Sequence, residues 1–204
     1  MPVKNSKRLF PLIVQRAALE AQIKGLSLSV RFEDEARFGM ITSPAACWAP
    51  AGTRPIVPNQ AIRTYTYAYA AVAPHSGEVD SLILPDMYAT TLQIFLNTLS
   101  LRRPKELNLL IIDGAPCHRA GKDTLSIPEN IRIVFLPPYS PECNPTEHLW
   151  DEMREKFFHN CVFQDMDAVE QQIVKGLLWL EERPEAVRSL TEFPWIRDGL
   201  ERIN

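Results

Sequence analysis

Three acidic residues fall where a carboxylate can do chemistry rather than only face solvent. Asp34 follows the alternating segment LSLSVRFE (26–33). Asp113 ends the apolar run LNLLII (107–112) and precedes Gly114, and Glu147 follows the Asn144–Pro145 pair at the head of a helical stretch. Open sheets present their functional groups where strands end and loops leave the sheet. Each position also has an ordinary explanation. Asp is frequent in turns. With Asn144 as N-cap and Pro145 as the first helical residue, Glu147 sits at capping-box spacing. As a set, the three carboxylates repel one another unless a cation lies among them. Oxygen-only ligands select hard ions such as Mg2+ or Mn2+. Two such ions, roughly 3.5–4 Å apart, support in-line displacement at phosphorus. The set therefore points to metal-dependent phosphoryl transfer.

The elements that must position these groups are legible as periodicities. Residues 1–25 read as a short amphipathic helix at most, with Leu12, Leu19 and Ile23 as its apolar positions. In 26–33 the alternation places Leu26, Leu28, Val30 and Phe32 on one face of a strand that Asp34 closes. Glu33, Asp34 and Glu35 are consecutive. Strand alternation puts Asp34 on the side of Phe32 and Glu33 on the other. A Pro- and Gly-bearing stretch (39–58) holds Trp48. RTYTYAYAAVA (63–73) and a short strand around Ser81–Leu84, joined by the HSG turn, complete an antiparallel meander. Helical spacing returns at 90–101. Buried strands follow at 107–112 and 131–136, and helices at 146–158 and 167–180. Meander first, then alternating helix and strand, predicts an α/β fold with a mixed sheet flanked by helices. The expected organisation is a helical segment (1–25), a catalytic unit (26–160) and a C-terminal helical extension (161–204) packed on the same domain.

Composition narrows the classes. At 204 residues, 46% apolar and 23% charged, the chain matches an ordinary globular domain. No apolar run reaches membrane-spanning length. Lys4, Lys7 and Arg8 precede a short apolar stretch interrupted by Gln15 and Arg16, which does not make a secretory signal. Cys47, Cys117, Cys143 and Cys161 are scattered as expected for reduced thiols, and the expected location is cytoplasmic. A zinc site from Cys117, His118, Cys143 and His148 ranks below idle thiols, because adjacent residues seldom both reach one tetrahedral ion. The net charge of -3 runs against a chain that grips nucleic acid by charge alone.

Four blocks, FEDEARFG, CWAPAGTRP, LLIIDGAPCH and PPYSPECNPTEHLW, resemble in order and spacing the DDE transposases of the mariner-like superfamily, particularly its bacterial insertion-sequence branch. The resemblance covers about residues 28–158. Its most specific part is YSPECNPTEHLW, and the 34 positions from Asp113 to Glu147 match the family's spacing. It implies a ribonuclease H-like fold and assigns Asp34, Asp113 and Glu147 as catalytic residues and metal ligands, with Glu35 a bystander. The implied cofactor is Mg2+ or Mn2+, as two ions. By their places in the blocks, His118, Arg37, Arg119, Lys122 and Arg154 are candidates to support the site or contact phosphate. Trp48 and Trp150 read as core or surface anchors. The family's Asn after the second acid is Gly114 here, which removes an amide from around a ligand without removing the ligand.

The function so implied is cleavage and strand transfer of DNA for an insertion sequence, acting on transposon ends and target. The alternatives are a ribonuclease H-like nuclease or resolvase without transposition, and a non-catalytic transposase remnant. Family members carry helix-turn-helix modules ahead of the catalytic domain, and only about 25 residues precede it here. The expectation is a homodimer or an assembly with an upstream helix-turn-helix polypeptide, as in an element split into two reading frames.

Overall fold

The structure is a computed structural model describing residues 3–115, 118, 125–138 and 140–201. Arg119, Lys122 and Cys117 lie outside the described residues. Five strands form one sheet in the order β3-β2-β1-β4-β5. They are β1 (Ser27–Ile41), β2 (Ala61–Ala73), β3 (Glu78–Leu84), β4 (Glu106–Ile112) and β5 (Ile131–Phe135). The pairs β1–β2 and β2–β3 are antiparallel, whereas β4 and β5 run parallel to β1. The expected meander and mixed sheet are thus both found.

Helices cover both faces. α1 (Val3–Lys24), α3 (Thr146–Met153), α4 (Met166–Glu181), α5 (Pro184–Thr191) and α6 (Pro194–Glu201) contribute to the larger apolar cluster, which includes Phe10, Val14, Phe32, Phe38, Trp150 and Ile173. α2 (Ala89–Arg102) covers the other face, where Leu92, Phe95, Leu96 and Leu99 meet Tyr69, Leu110 and Ile112. Among the described residues no helix is long and apolar enough to cross a membrane.

Two elements depart from the sequence reading. α1 is a full 22-residue helix, and its buried positions are Phe10, Val14, Ala17 and Ala21, while Leu12, Leu19 and Ile23 are exposed. The buried set has three- and four-residue spacing, and Phe10 meets the edge of Trp195 at 5.0 Å between centroids. The second departure concerns β1, which does not end at Asp34 but runs on to Ile41. Ala36, Phe38 and Met40 continue the buried alternation, and β2 pairs with it up to Ile41.

The back face of β1 carries an unusual charge. Arg31 is fully buried and bonds Asp80 (2.8 Å), Asn108 (3.1 Å), Glu106 (3.2 Å) and Glu78 (3.4 Å). A buried guanidinium persists only when its donors are matched in this way.

Candidate active site

The site follows from the strand register. β1 and β4 run in parallel, with Phe32 opposite Ile111 as their last pair. Both side chains belong to the larger apolar cluster. Two residues further along each strand direction come Asp34 and Asp113, which alternation returns to the same face. β4 has ended by then, so Asp34 lies within β1 yet beside an open edge. This reconciles a mid-strand position with an accessible carboxylate. Across β1, the residue paired with Asp34 is Ala70, whose small side chain leaves room above the strand.

Glu147 reaches the same place from α3. Asn144 donates its amide to the Glu33 carbonyl (3.1 Å), and Thr146 donates its hydroxyl to the Phe32 carbonyl (3.0 Å). The start of α3 is therefore bolted to β1 beside Asp34. The N-cap is Pro145, with no side-chain capping bond, so the capping-box arrangement is not formed. Asn144 instead spends its side chain on β1 and on the Thr146 amide, which donates to its Oδ1 at 3.3 Å. The Glu147 carboxylate is therefore not committed to a capping-box bond.

Asp34, Asp113 and Glu147 all line one cleft of about 450 Å³, with Gly114, Ser140, Asn144 and the Leu136–Pro138 turn. Asp34 is the most enclosed. Trp150, fully buried, donates its indole N–H to Asp34 Oδ2 at 3.0 Å. Desolvation pushes the Asp34 carboxyl up to about 8, with the charges of Glu147, Glu35 and Asp113 adding to the rise and the Trp150 bond opposing it. Burial also raises Glu147, while the nearby Arg154 guanidinium counteracts it.

The remaining candidates divide. His118 is buried beside the cleft, against Asp113. Its Nδ1 lies 2.6 Å from Asp113 Oδ1 and its Nε2 lies 2.9 Å from Glu35 Oε1. The Ala115 amide also donates to Asp113 Oδ1, at 2.8 Å. Glu35 is therefore linked to Asp113 through His118, a link invisible in sequence because 83 positions separate Glu35 from His118. Arg154 lies in the wide π-type turn Arg154–Phe158 that follows α3. Its guanidinium sits 5.7 Å from the Phe38 ring centroid and 3.5 Å from Asp151. Arg37 alternates to the face opposite Asp34, where it stacks 4.4 Å from the Tyr65 centroid.

Trp150 is a core residue that also bonds Asp34, and its place one helical turn after Glu147 was the available signal. Trp48 is fully exposed. Cys143 is buried, and the His148 ring meets Phe193 edge-to-face at 5.0 Å between centroids. Among the described residues neither belongs to a group of metal-ligating side chains.

A mixed sheet with carboxylates gathered where a central strand outruns its neighbour defines a class of phosphoryl-transfer scaffold. Residues 29–170 match the DDE superfamily endonucleases, and the chain belongs to that family. A protein of Sinorhizobium fredii (strain NBRC 101917 / NGR234), the uncharacterized protein y4pE/y4sA, is 31% identical over 132 residues, covering 64% of this chain and 96% of its own. Among solved structures, the Mos1 mariner paired-end complex with Mn aligns over 95% of this chain at a TM-score of 0.59 and 16% identity. The catalytic domain of Mos1 mariner transposase aligns over 95% of this chain and 92% of its own, at a TM-score of 0.55 and 14% identity. These likenesses show the fold, which is ribonuclease H-like. The chain spans 61% of the Mos1 chain in the complex with Mn and 64% of that in a pre-cleavage transpososome.

Proposed function

We propose that this chain is the catalytic domain of a DNA transposase of an insertion sequence, cutting and joining DNA strands with Asp34, Asp113 and Glu147. The observation that carries the reading is the convergence of these three carboxylates on one cleft from β1, β4 and α3. On this reading residues 26–160 form the catalytic unit, and residues 161–204 a helical extension on the same core.

The donor set fits a divalent cation. Three carboxyl groups share one cleft, and Asp34 is held near 8 because its charge is desolvated and crowded by like charge. A hard cation removes that penalty, and oxygen-only donors favour Mg2+ or Mn2+ over softer ions. Asp34, Asp113 and Glu147 would hold two ions. When bound, such ions activate the attacking oxygen and stabilise the leaving oxygen of an in-line displacement.

The chain's own groups do the positioning. Trp150 holds one oxygen of Asp34, so its rotamer is fixed before any ligand arrives. His118 and the Ala115 amide do the same for Asp113. Arg154, close enough to bias Glu147, would meet a phosphate beside the carboxylates, and Arg37 would extend a cationic contact outside the cleft. The partners are DNA, as transposon ends and target, together with a second copy or a helix-turn-helix polypeptide.

The test is nicking and strand transfer on duplexes carrying the element's ends, with Mg2+ or Mn2+, in the presence and absence of the upstream polypeptide. Asp34→Ala, Asp113→Ala and Glu147→Ala should each reduce activity to background while the fold persists. Full magnesium-dependent activity of Asp113→Ala would overturn the assignment. Nicking without joining would favour a simple nuclease.

A further inference from the structure

We infer that Glu33, Glu35 and His118 form a second, buried cation site on the opposite face of β1, taking one divalent transition-metal ion such as Zn2+ or Mn2+. Among the described residues, these are the only three His, Cys, Asp or Glu side chains that bring one potential donor atom each within 4.8 Å of one another. The site is separate from the cleft carboxylates, since strand alternation turns Glu33 and Glu35 away from Asp34.

Clustering alone would mean little, but Glu33 adds an independent observation. It is fully buried, and neither of its carboxylate oxygens has a hydrogen-bond partner. An unpaired carboxylate in that position costs several kcal/mol as a rough expectation. Its neighbours show what would satisfy it. Glu35 is almost fully buried and adds a second carboxylate. His118, 2% exposed, supplies a ring nitrogen.

The orientation of that ring suits a metal ligand. Nδ1 faces Asp113 Oδ1 at 2.6 Å and the Asp113 carbonyl at 3.2 Å. Both are acceptors, so Nδ1 carries the proton and donates. Nε2 then points at Glu35, 2.9 Å away. A histidine anchored by a carboxylate through one nitrogen while the other faces further carboxylates is the arrangement seen around metal-bound imidazoles. In the ion's absence Nε2–H donates to Glu35; an ion at that point takes the proton's place. An ion about 2.0–2.2 Å from each donor needs them roughly 3–4 Å apart, which small side-chain rotations supply. One nitrogen and two carboxylates suit Zn2+ or Mn2+ better than Mg2+ or Ca2+.

The site is coupled to the cleft through one bond, His118 to Asp113. An ion at Nε2 would fix the imidazole, and the imidazole fixes Asp113. The ion would bind there whether or not the chain cuts DNA.

The experiment uses the whole chain in the double variant Asp34→Asn/Glu147→Gln, which disables the cleft while leaving Asp113 to orient His118. Calorimetric titration with Zn2+ and with Mn2+ should find one site per chain. Adding Glu33→Gln should weaken binding at least tenfold, with the far-ultraviolet dichroism unchanged. Should Glu33→Gln fail to fold, Glu35→Gln carries the same expectation. No binding by the double variant, or equal affinity with Glu33→Gln, would overturn the site. So would a Glu33→Met variant that gains thermal stability while binding the ion as before, since Glu33 would then be only a buried protonated acid. Nicking by the wild-type chain is measured apart, so either proposal can fail alone.

Discussion

The indole of Trp150 donates to Asp34 across 116 positions of sequence, at 3.0 Å and wholly out of solvent. It is the hydrogen bond that opposes the rise of the Asp34 carboxyl. α3 therefore delivers both the Glu147 carboxylate and the donor that tempers its neighbour. Replacing Trp150 with Phe keeps most of the ring and removes the donor. The expected loss is about 1–3 kcal/mol, the range for hydrogen bonds to charged or deeply buried partners. Chemical denaturation measures it, and magnesium titration of the same variant should show weaker binding.

The elevated Asp34 carboxyl makes a pH prediction of definite sign. Between the ordinary Asp value of 3.8 and about 8, the folded chain holds a proton that the unfolded chain has released. Stability without metal therefore falls as pH rises through that window. A cation that needs Asp34 ionised should bind more tightly over the same rise. Thermal melts at a series of pH values, with and without Mg2+, should diverge toward alkaline pH. Asp34→Asn should remove most of the divergence.

DNA binding by the isolated chain should be weak, insensitive to sequence and lost as salt rises. The net charge is -3, and phosphate contacts of the kind open to Arg37 and Arg154 carry position rather than sequence. Binding to terminal-repeat and random duplexes across a salt series is the measurement. Arg154→Ala should lower affinity for both duplexes alike, with a shallower salt slope. A tight, salt-insensitive preference for the repeat would place sequence recognition in this chain.

Gly77 offers a stability test far from the cleft. Its φ is +75°, and a Cβ there would lie 2.0 Å from the Pro184 carbonyl oxygen. The turn between β2 and β3 is thus pressed against the start of α5. Gly77→Ala combines backbone strain with a clash against main chain, so the expected loss exceeds about 1 kcal/mol, readable as a lowered melting temperature.

Much of this architecture was legible because its strands and helices are strongly periodic. The buried run 107–112 and the meander emerge nearly as expected, and so does the parallel strand 131–135. The end of β1 was not, because three consecutive acids look like the start of a loop. The strand tolerates them because β2 stays paired alongside and presents alanines at 70 and 71 to Asp34 and Glu33. The buried face of α1 was missed for a different reason. Leu12, Leu19 and Ile23 are as apolar as the residues that won, and the choice is made by the surfaces α1 meets, including Trp195. The link from Glu35 through His118 to Asp113 joins residues 83 positions apart, and no local pattern encodes that.

Arg31 has a consequence for which acid the cleft receives. Glu33, Asp34 and Glu35 are three chances to present a carboxylate, and a chain slipped by one residue would still place an acid at the cleft. Charge by itself is a poor proofreader here. Arg31 is a strict one, since its guanidinium is matched on the back face by Asp80, Asn108, Glu106 and Glu78. The slip would drive that cation into the cluster around Phe32 and strand its partners. Misalignment is thus penalised three positions earlier on the opposite face of the strand, away from the cleft. The choice of Asp34 over its neighbours is made before any substrate is present.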